Sequence, residues 1–407
     1  MDSPPFQRLR YIHQLAMTFL VYPAATHRRF EHSLGVMELA TRVYETLTRP
    51  ENIQHDAMRE LSESKRDYWN WRTVLRMAAL CHDMGHLPFS HAAEKELLPD
   101  GWDHERMTRE IVMSDELVQV WSRLNVKAED VAKLAVGPKK YGQQFSDIEA
   151  VLSEIITGDA FGVDRMDYLL RDSLHAGVAY GRFDHYRLID TMRVLPRTAG
   201  SSNEPVLGVE LGGLHSAEAL LLARYFMFSQ LYCHDVRRIY DIHLKDFLKE
   251  WLPNGTFSTD PADHIRLTDN EVTAALMEAA RDSSSKGHDA ARRIVERQHF
   301  RLLYERNPAD IARNPGAARQ VFESASKQFG AGDVRLDSYR QKGSSADFPV
   351  LCDNKDIQSS LVMSEVLRQV PLVAVEYVFI APEQREKAMT WLKAEHDRII
   401  KPERGAS

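Results

Sequence analysis

The stretch from Cys81 to His91 reads C-H-D-M-G-H-L-P-F-S-H and holds three histidines and one aspartate within eleven residues. It directly follows an apolar run with helical spacing. His82 and His86 are four residues apart, so a helix would place them on one face, with Asp83 reaching the same point from its edge. The glycine and the proline inside the stretch predict that the helix ends there. We therefore expect a buried helix to bring an imidazole and a carboxylate side by side into a cavity near its C-terminal end.

A His-Asp pair alone is a weak sign of a metal site, because such pairs occur by chance in many chains of this length. Two further candidate ligands lie on other predicted helices. His32 begins a helical stripe, and Asp164 belongs to a polar stripe on a helix whose opposite face is apolar. Together with His82 and Asp83 they supply two imidazoles and two carboxylates, a nitrogen and oxygen set that suits a divalent ion. Four protein ligands leave room for water and a substrate oxygen, which favours a catalytic site and leaves Mn, Fe, Mg, Ni and Zn open.

Hydrolysis of a phosphate ester at such an ion also needs groups that move protons and cations that neutralise phosphate charge. The candidates for proton transfer and positioning are His86, His91, Glu94 and His104. Arg29 and Arg165 each lie within a few residues of a proposed ligand and could neutralise phosphate oxygens. Taken singly, each of these histidines could instead be a hydrogen-bonded core residue, and each arginine a solvated surface cation.

Composition limits the classes of protein to which the chain can belong. Its 407 residues suggest two or three domains, and its net charge of −7 does not describe a general nucleic-acid binder. The three cysteines lie far apart in the sequence, which argues against a disulfide framework. The N-terminus lacks the apolar core of a signal peptide, and no run reaches the ~20 apolar residues that span a bilayer. We expect a soluble, cytoplasmic protein with no membrane contact.

The periodicity predicts a mainly α fold. Helical patterns dominate residues 1–255, which we take as one domain. Residues 256–407 read as further helices with a small mixed α/β lobe. Within that part, V-P-L-V-A-V-E-Y-V-F-I-A-P at 370–382 is β-branched and aromatic and predicts one or two strands.

Five motifs together resemble one known family. They are F-Q-R-L-R-Y-I-H-Q-L at 6–15, H-R-R-F-E-H-S-L-G-V at 27–36, H-D-M-G-H-L-P-F-S-H at 82–91, W-D-H-E at 102–105 and V-D-R-M-D-Y-L-L-R-D at 163–172. In this order they are similar to the HD-domain deoxynucleoside triphosphate triphosphohydrolases, over residues 2 to about 250. The resemblance implies an HD-domain helical bundle and a metal-dependent enzyme.

The resemblance also implies roles for individual residues. His32, His82, Asp83 and Asp164 match metal ligands, and His86, His91, Glu94 and His104 match the catalytic and phosphate-contacting set. The implied substrate contacts are Arg29, Arg165 and Arg224 for the triphosphate, Gln14 and Asp172 for the sugar 3′-hydroxyl, Leu15 and Tyr168 beneath the deoxyribose, and Tyr232 beside the base.

The implied reaction is attack on the α-phosphorus, which yields a deoxynucleoside and inorganic triphosphate. The family also implies a homo-oligomer, and Asp2, Gln7 and Arg10 resemble part of a regulatory nucleotide site. The segment F-S-Q-L-Y-C-H at 228–234 departs from the vertebrate members, which have a histidine and two arginines at three of its positions. Base preference therefore does not follow from the resemblance.

Two other functions stay open at this point. The chain could be an HD-family phosphohydrolase acting on another nucleotide, such as a monophosphate, a ribonucleotide or an alarmone. It could also be a regulator that binds nucleotides or nucleic acid without turnover. Leu15 and Tyr168 favour a deoxyribose, and the complete set of candidate ligands favours an enzyme.

Overall fold

The computed structural model describes residues 1–90, 94–197, 204–341 and 347–401. The chain divides into two units, and neither is continuous in sequence. The first unit comprises Met1–Met227, Thr256–Val272 and Gly343–Pro371, and the second comprises Phe228–Gly255, Thr273–Lys342 and Leu372–Ser407. The predicted division into residues 1–255 and 256–407 stays a prediction, because each unit combines segments from both ranges.

Helices dominate the described residues, and the predicted mainly α fold is confirmed. The helices are α1 (Pro4–Arg8), α2 (Arg29–Leu47), α3 (Asp56–Glu63), α4 (Lys65–Cys81), α5 (Glu94–Leu97), α6 (His104–Val112), α7 (Asp115–Leu124), α8 (Ala128–Val136), α9 (Pro138–Tyr141), α10 (Asp147–Thr157), α11 (Val163–Ala176), α12 (His185–Asp190), α13 (Leu214–Met227), α14 (Asp235–Trp251), α15 (Pro261–Arg266), α16 (Asp269–Arg281), α17 (His288–Val295), α18 (Pro308–Arg313), α19 (Ala317–Phe329), α20 (Ser360–Met363), α21 (Glu365–Gln369) and α22 (Arg385–Ile399). The strands are β1 (Met192–Pro196), β2 (Pro205–Glu210), β3 (Arg301–Glu305), β4 (Val334–Arg340), β5 (Pro349–Leu351), β6 (Ile357–Ser359) and β7 (Ala374–Ile380).

Within the described residues, each unit contains one small sheet. In the first unit the strand order is β1-β2-β5-β6, and only β2 and β5 run parallel, with Val209 opposite Val350. In the second unit β7 lies between β3 and β4 and pairs antiparallel with both. The strand predicted within 370–382 is β7. It is central and its last four residues are buried, as its β-branched and aromatic composition suggests.

In the first unit, α2 packs against both α4 and α11. His32 lies on α2 and Asp164 on α11, whereas His82 and Asp83 directly follow α4. The apolar stripes of α2 and α4 are fully buried along their shared contact, as the helical spacing predicts. Gly35 lets α11 approach α2 closely, because a Cβ at this position would lie 1.9 Å from Oδ1 of Asp167. This close approach brings the first turn of α11 beside the first turn of α2.

The end of α4 differs from the prediction. The helix stops at Cys81, so His82, Asp83 and His86 lie in the turns that follow it and not on one helical face. The hydroxyl of Thr108 donates to the carbonyl of His82 and accepts from the backbone N–H of Gly85, both at 3.0 Å. A side chain from α6 therefore replaces helical hydrogen bonds at this point. Among the described residues, no helix combines the length and the apolar character needed to cross a membrane.

Candidate metal centre and active site

Three buried side chains converge at the start of α2 and just beyond the end of α4. One ligand atom from each of His32, His82 and Asp83 lies within 4.8 Å of the other two. Asp164, in the first turn of α11, completes the group, because its Oδ1 lies 3.1 Å from Nε2 of His32 and 3.5 Å from Nε2 of His82. The structure thus brings together the four residues that the sequence predicts as metal ligands.

Neighbouring groups fix the orientation of both imidazoles. Nδ1 of His32 lies 2.8 Å from Oδ2 of Asp167, and Nδ1 of His82 lies 2.8 Å from the carbonyl oxygen of Ala79. Each ring therefore donates through Nδ1 and turns Nε2 towards Asp164, which is the usual arrangement for histidines that bind metal. The same Asp167 carboxylate accepts two hydrogen bonds of 2.8 Å from Arg171, which fixes its own position.

The donor set fits a divalent cation. Nε2 of His82 is buried and makes no well-directed hydrogen bond with any residue that the structure describes, although carboxylate oxygens of Asp83 and Asp164 lie 3.3 Å and 3.5 Å away. A buried polar atom without a partner is costly. A cation between these atoms would satisfy the nitrogen and both carboxylates at once.

Electrostatics within this group favour charged states. Burial opposes protonation of His32, but hydrogen bonds to Asp164 and Asp167 outweigh it and raise the pKa of His32 to about 10. Burial also disfavours an ionised Asp83. His82 and Arg29 nevertheless hold the pKa of Asp83 well below its usual range. Burial likewise opposes ionisation of Asp164, but hydrogen bonds with His32 and His82 hold its pKa below the usual value. Both carboxylates are thus kept ionised, as metal binding requires, whereas His32 would have to release a proton for a metal to bind.

A stacked pair of histidines adjoins the four candidate ligands His32, His82, Asp83 and Asp164, which are called here the metal group. The rings of His86 and His104 lie 4.1 Å apart at 14°, and Nε2 of His86 lies 3.1 Å from Oδ1 of Asp83. Glu94 accepts from Nδ1 of His104 at 2.8 Å and from its backbone N–H at 2.7 Å. The structure therefore brings together His86, Glu94 and His104 from the predicted catalytic set. His91 lies outside the described residues.

The two stacked rings have opposite pKa shifts. Burial, together with the charges of Arg29 and His104, holds the pKa of His86 well below its usual value. Burial also acts against the charge of His104, but the hydrogen bond that His104 donates to Glu94 outweighs it and raises the pKa of His104. Two neighbouring titratable groups with opposed shifts are typical of acid and base partners in an active site.

The predicted triphosphate-binding cations have different surroundings. Arg29 is buried, and its Nη1 lies 2.6 Å from Oδ2 of Asp83. Arg165 extends from α11 and donates from Nη1 to the carbonyls of Gly158, at 3.1 Å, and of Asp159. The structure places Arg29 directly against the metal group, whereas Arg165 is held by a neighbouring backbone turn.

The residues predicted to contact the sugar have two kinds of surroundings: Tyr168 lies near two arginines, and Gln14 and Asp172 both bind His27. Burial raises the pKa of Tyr168, whose hydroxyl is also affected by the charges of Arg165 and Arg224. Asp172 accepts from Nε2 of His27 at 2.8 Å. The backbone N–H of Gln14 donates to the carbonyl of that same His27 at 3.0 Å, and Leu15, which follows Gln14, is buried.

Tyr232 belongs to the second unit, where it ends a π-helical turn over Phe228–Tyr232. Its carbonyl accepts from Arg237 at 2.5 Å, and its ring lies 5.0 Å from that of Phe228. Its role beside a base stays a prediction.

Two residues that shape the site were not given a role by the sequence. Asp167 orients His32, and its signal was present, because it lies three residues after Asp164 on the same polar stripe. Thr108 fixes the turn after α4, and no local pattern marks it, because its partners lie more than twenty residues earlier in the chain.

Comparison with known proteins agrees with this architecture. Residues 29–171 match the family described as HD domain, and residues 183–323 match the HD associated region. The uncharacterised protein YwfO of Bacillus subtilis is 30% identical over 84% of this chain and 74% of its own length. A hypothetical protein from Aquifex aeolicus of known crystal structure is 32% identical with a TM-score of 0.77, covering 96% of this chain and 94% of that chain.

Enzymes of named activity are also similar. The human deoxynucleoside triphosphate triphosphohydrolase SAMHD1 is 30% identical over 82% of this chain, and the match covers 56% of the human protein. The chain thus spans about half the length of the SAMHD1 proteins that it matches. Both HD regions are matched, and YwfO is 30% identical over 74% of its own length. The chain therefore belongs to the HD-domain family of metal-dependent phosphohydrolases, in the dNTPase-like group that includes SAMHD1.

Proposed function

We propose that the chain hydrolyses deoxynucleoside triphosphates at the α-phosphorus and releases a deoxynucleoside and inorganic triphosphate. The observation that carries this proposal is the buried metal group placed next to two stacked histidines with opposite pKa shifts. The similarity to SAMHD1 enzymes supports the substrate class.

The residues that would hold the metal ion are His32, His82, Asp83 and Asp164. When bound, the ion supplies Lewis acidity towards a phosphoryl oxygen and lowers the pKa of a bound water. Nitrogen and carboxylate donors accept Mn, Fe, Mg, Ni or Zn, so elemental analysis of the purified protein is the measurement that identifies the ion.

Proton transfer and positioning of the water fall to the stacked pair. His104, held protonated by Glu94, is suited to give its proton to the 5′ oxygen of the leaving nucleoside as the bond from the α-phosphorus to that oxygen breaks. His86 stays neutral and lies against Asp83, so it would help to position the attacking water and would not take its proton. The proton that the water loses as its oxygen bonds to the phosphorus would pass to solvent, and the His104 proton would end on the 5′ oxygen of the released nucleoside.

Substrate positioning is proposed for residues that surround the group. Arg29, Arg165 and Arg224 would neutralise triphosphate oxygens, which guanidinium groups bind with two parallel hydrogen bonds. Gln14 and Asp172 are linked through His27 and would hold the 3′-hydroxyl of the sugar. The same proposal places Leu15 and Tyr168 beneath the deoxyribose.

The test is incubation with each deoxynucleoside triphosphate in the presence of Mn or Mg, with triphosphate, pyrophosphate and phosphate resolved as separate products. We expect triphosphate and free deoxynucleoside, and faster turnover of dGTP than of GTP. Release of pyrophosphate or phosphate would contradict attack at the α-phosphorus. Preference for GTP would contradict the deoxyribose assignment.

A variant pair tests the site itself. Replacing both His82→Ala and Asp83→Ala should abolish turnover, because it removes two of the four ligands. The matched control is His215→Ala, a histidine on α13 whose side chain is 93% exposed, and it should retain full activity. Turnover by the double variant would refute the proposed site.

The proposed partners are a regulatory nucleotide near Asp2, Gln7 and Arg10 and further copies of the chain in a homo-oligomer. Light scattering after size-exclusion chromatography, with and without added nucleotide, tests both. A monomer under all conditions would contradict the homo-oligomer. An unchanged rate of substrate turnover when a second nucleotide is added, measured by product release, would contradict the regulatory site.

A further inference from the structure

The loop over residues 82–90, called here the His86 loop, is short of regular structure but is held by side chains from distant parts of the first unit. Its carbonyl groups point towards α1. Nη1 of Arg8, the last residue of α1, donates to the carbonyl of His86 at 2.9 Å and approaches that of Met84 at 3.4 Å. Nε of the same guanidinium donates to the carbonyl of Leu267 at 2.9 Å.

A buried carboxylate holds the other end of the loop. Oδ1 of Asp269 accepts from the backbone N–H of Phe89 at 2.7 Å. Its Oδ2 accepts from the backbone N–H of His13, at 2.7 Å, and lies 2.6 Å from Nδ1 of that residue. Asp269 is only 1% exposed, so these bonds are shielded from water.

The backbone conformation of the loop needs such support. Phe89 has φ of +50°, in the left-handed region that a bulky residue rarely adopts. Its ring stacks on that of His13 at 5.8 Å and 10°, so the residue bound by Asp269 also packs against the strained one. A strained residue of this kind persists only where its surroundings determine it strongly.

Arg8 and Asp269 are separated by most of the chain, yet both act on the loop that carries His86. Arg8 is 3% exposed and is attracted by the charge of Asp269. Directly after Phe89, Ser90 contacts Nδ1 of His86, and His86 in turn lies against Asp83 and His104. A shift of the loop backbone would therefore move the His86 ring relative to both of its neighbours.

We propose that Arg8 and Asp269 are positioning residues for hydrolysis, which hold the His86 loop so that the His86 ring keeps its place between Asp83 and His104. The inference rests on the proposed function, because it concerns turnover at the same site. Neither residue belongs to the metal group. A displacement of about 1 Å at a reacting group can lower a rate by about a hundredfold, so a loosened loop should act mainly on kcat.

The first experiment compares Arg8→Lys and Asp269→Asn with a matched control. Arg193 is also buried and also donates to two backbone carbonyls, those of Asp190 at 2.9 Å and Met192 at 2.6 Å, so Arg193→Lys is the control for the loss of a buried guanidinium. We expect kcat to fall at least tenfold in both test variants, with KM changed less than threefold and bound metal unchanged. The control should keep the wild-type kcat.

A double-mutant cycle separates positioning from general destabilisation. If Arg8 acts through His86, adding Arg8→Lys to His86→Asn should lower kcat by less than twofold beyond the single His86→Asn variant. A full tenfold loss in that background would overturn the inference, because Arg8 would then act independently of His86. Asp269→Asn provides the same cycle should Arg8→Lys not fold.

Hydrogen exchange gives a readout that does not need activity. The backbone amides of residues 84–90, other than Pro88, should exchange at least tenfold faster in Arg8→Lys than in the wild type and in Arg193→Lys. Unchanged exchange would overturn the inference. Any phosphate ester that the wild type hydrolyses can serve as the substrate for the double-mutant cycle. If that substrate is not a deoxynucleoside triphosphate, only the proposed function is overturned. If the losses of kcat from Arg8→Lys and His86→Asn multiply in an active enzyme, only the positioning role is overturned.

Discussion

His243 gives a prediction whose size follows directly from its surroundings. It lies on α14 in the second unit, is 3% exposed, and its Nε2 accepts the backbone N–H of Phe300 at 3.2 Å. Burial, assisted by the nearby charges of Arg335 and Arg293, lowers the pKa of His243 to about 3. The folded protein therefore keeps this imidazole neutral, whereas an unfolded chain protonates it near pH 6.5.

The sign of the effect on stability follows from the number of bound protons. Between pH 6.5 and pH 3 the unfolded chain binds a proton at His243 and the folded chain does not, so the free energy of unfolding falls as the pH falls. At pH 7.5 almost the full contribution is present. At pH 5.0 the loss amounts to about 2 kcal/mol, since each pH unit below the unfolded pKa removes ~1.4 kcal/mol.

The perturbation that tests this is His243→Gln, because the glutamine amide oxygen can still accept the N–H of Phe300 but does not titrate. Urea denaturation of the wild type and the variant at pH 7.5 and pH 5.0 gives four free energies of unfolding. We expect the wild type to lose about 2 kcal/mol more than the variant on acidification. Equal losses would refute the reasoning, because they would show that the folded protein protonates His243 as readily as the unfolded chain.

Three further predictions concern the site. Asp167→Asn should weaken metal binding by about 10- to 100-fold in calorimetric titration, because Asp167 orients His32, and an unchanged affinity would contradict that role. Gly85→Ala should lower the free energy of unfolding by about 3 kcal/mol in urea, because a Cβ at Gly85 would lie 2.1 Å from the carbonyl oxygen of His104. Gly332→Ala, whose Cβ would meet open space, should have little effect. Thr108→Val should cost about 1–3 kcal/mol in the same assay, because it leaves the buried N–H of Gly85 without its acceptor, and a neutral result would contradict the bridging role of the hydroxyl.

The parts of the fold that could be predicted are those whose signals are local. The apolar stripe of α2 and the β-branched run of β7 are readable from neighbouring residues, and both elements form where expected. The convergence of His32, His82 and Asp83 could be predicted only because histidine and aspartate at helix ends carry a chemical meaning beyond packing.

The parts that could not be predicted depend on partners far away in sequence. The turn that follows α4 is bonded by Thr108, which no periodicity within α4 reveals. Arg8 is a charged residue within the motif at 6–15, and nothing near it in sequence shows that it is buried against the carbonyls of His86 and Leu267. Hydrophobic patterning shows which face of an element is buried, but it does not show which backbone group a buried cation will meet.

Because neither unit is continuous in sequence, the order of the segments affects how the chain folds during synthesis and where its gene can be truncated. In the first sheet, Val209 of β2 pairs with Val350 of β5, and Asp269 binds the backbone N–H of Phe89, so a nascent chain cannot complete the first unit until it has been synthesised to about Pro371. A gene fragment that ends after Gly255 would encode a protein with an open sheet edge at β2 and a His86 loop without its bond to Asp269.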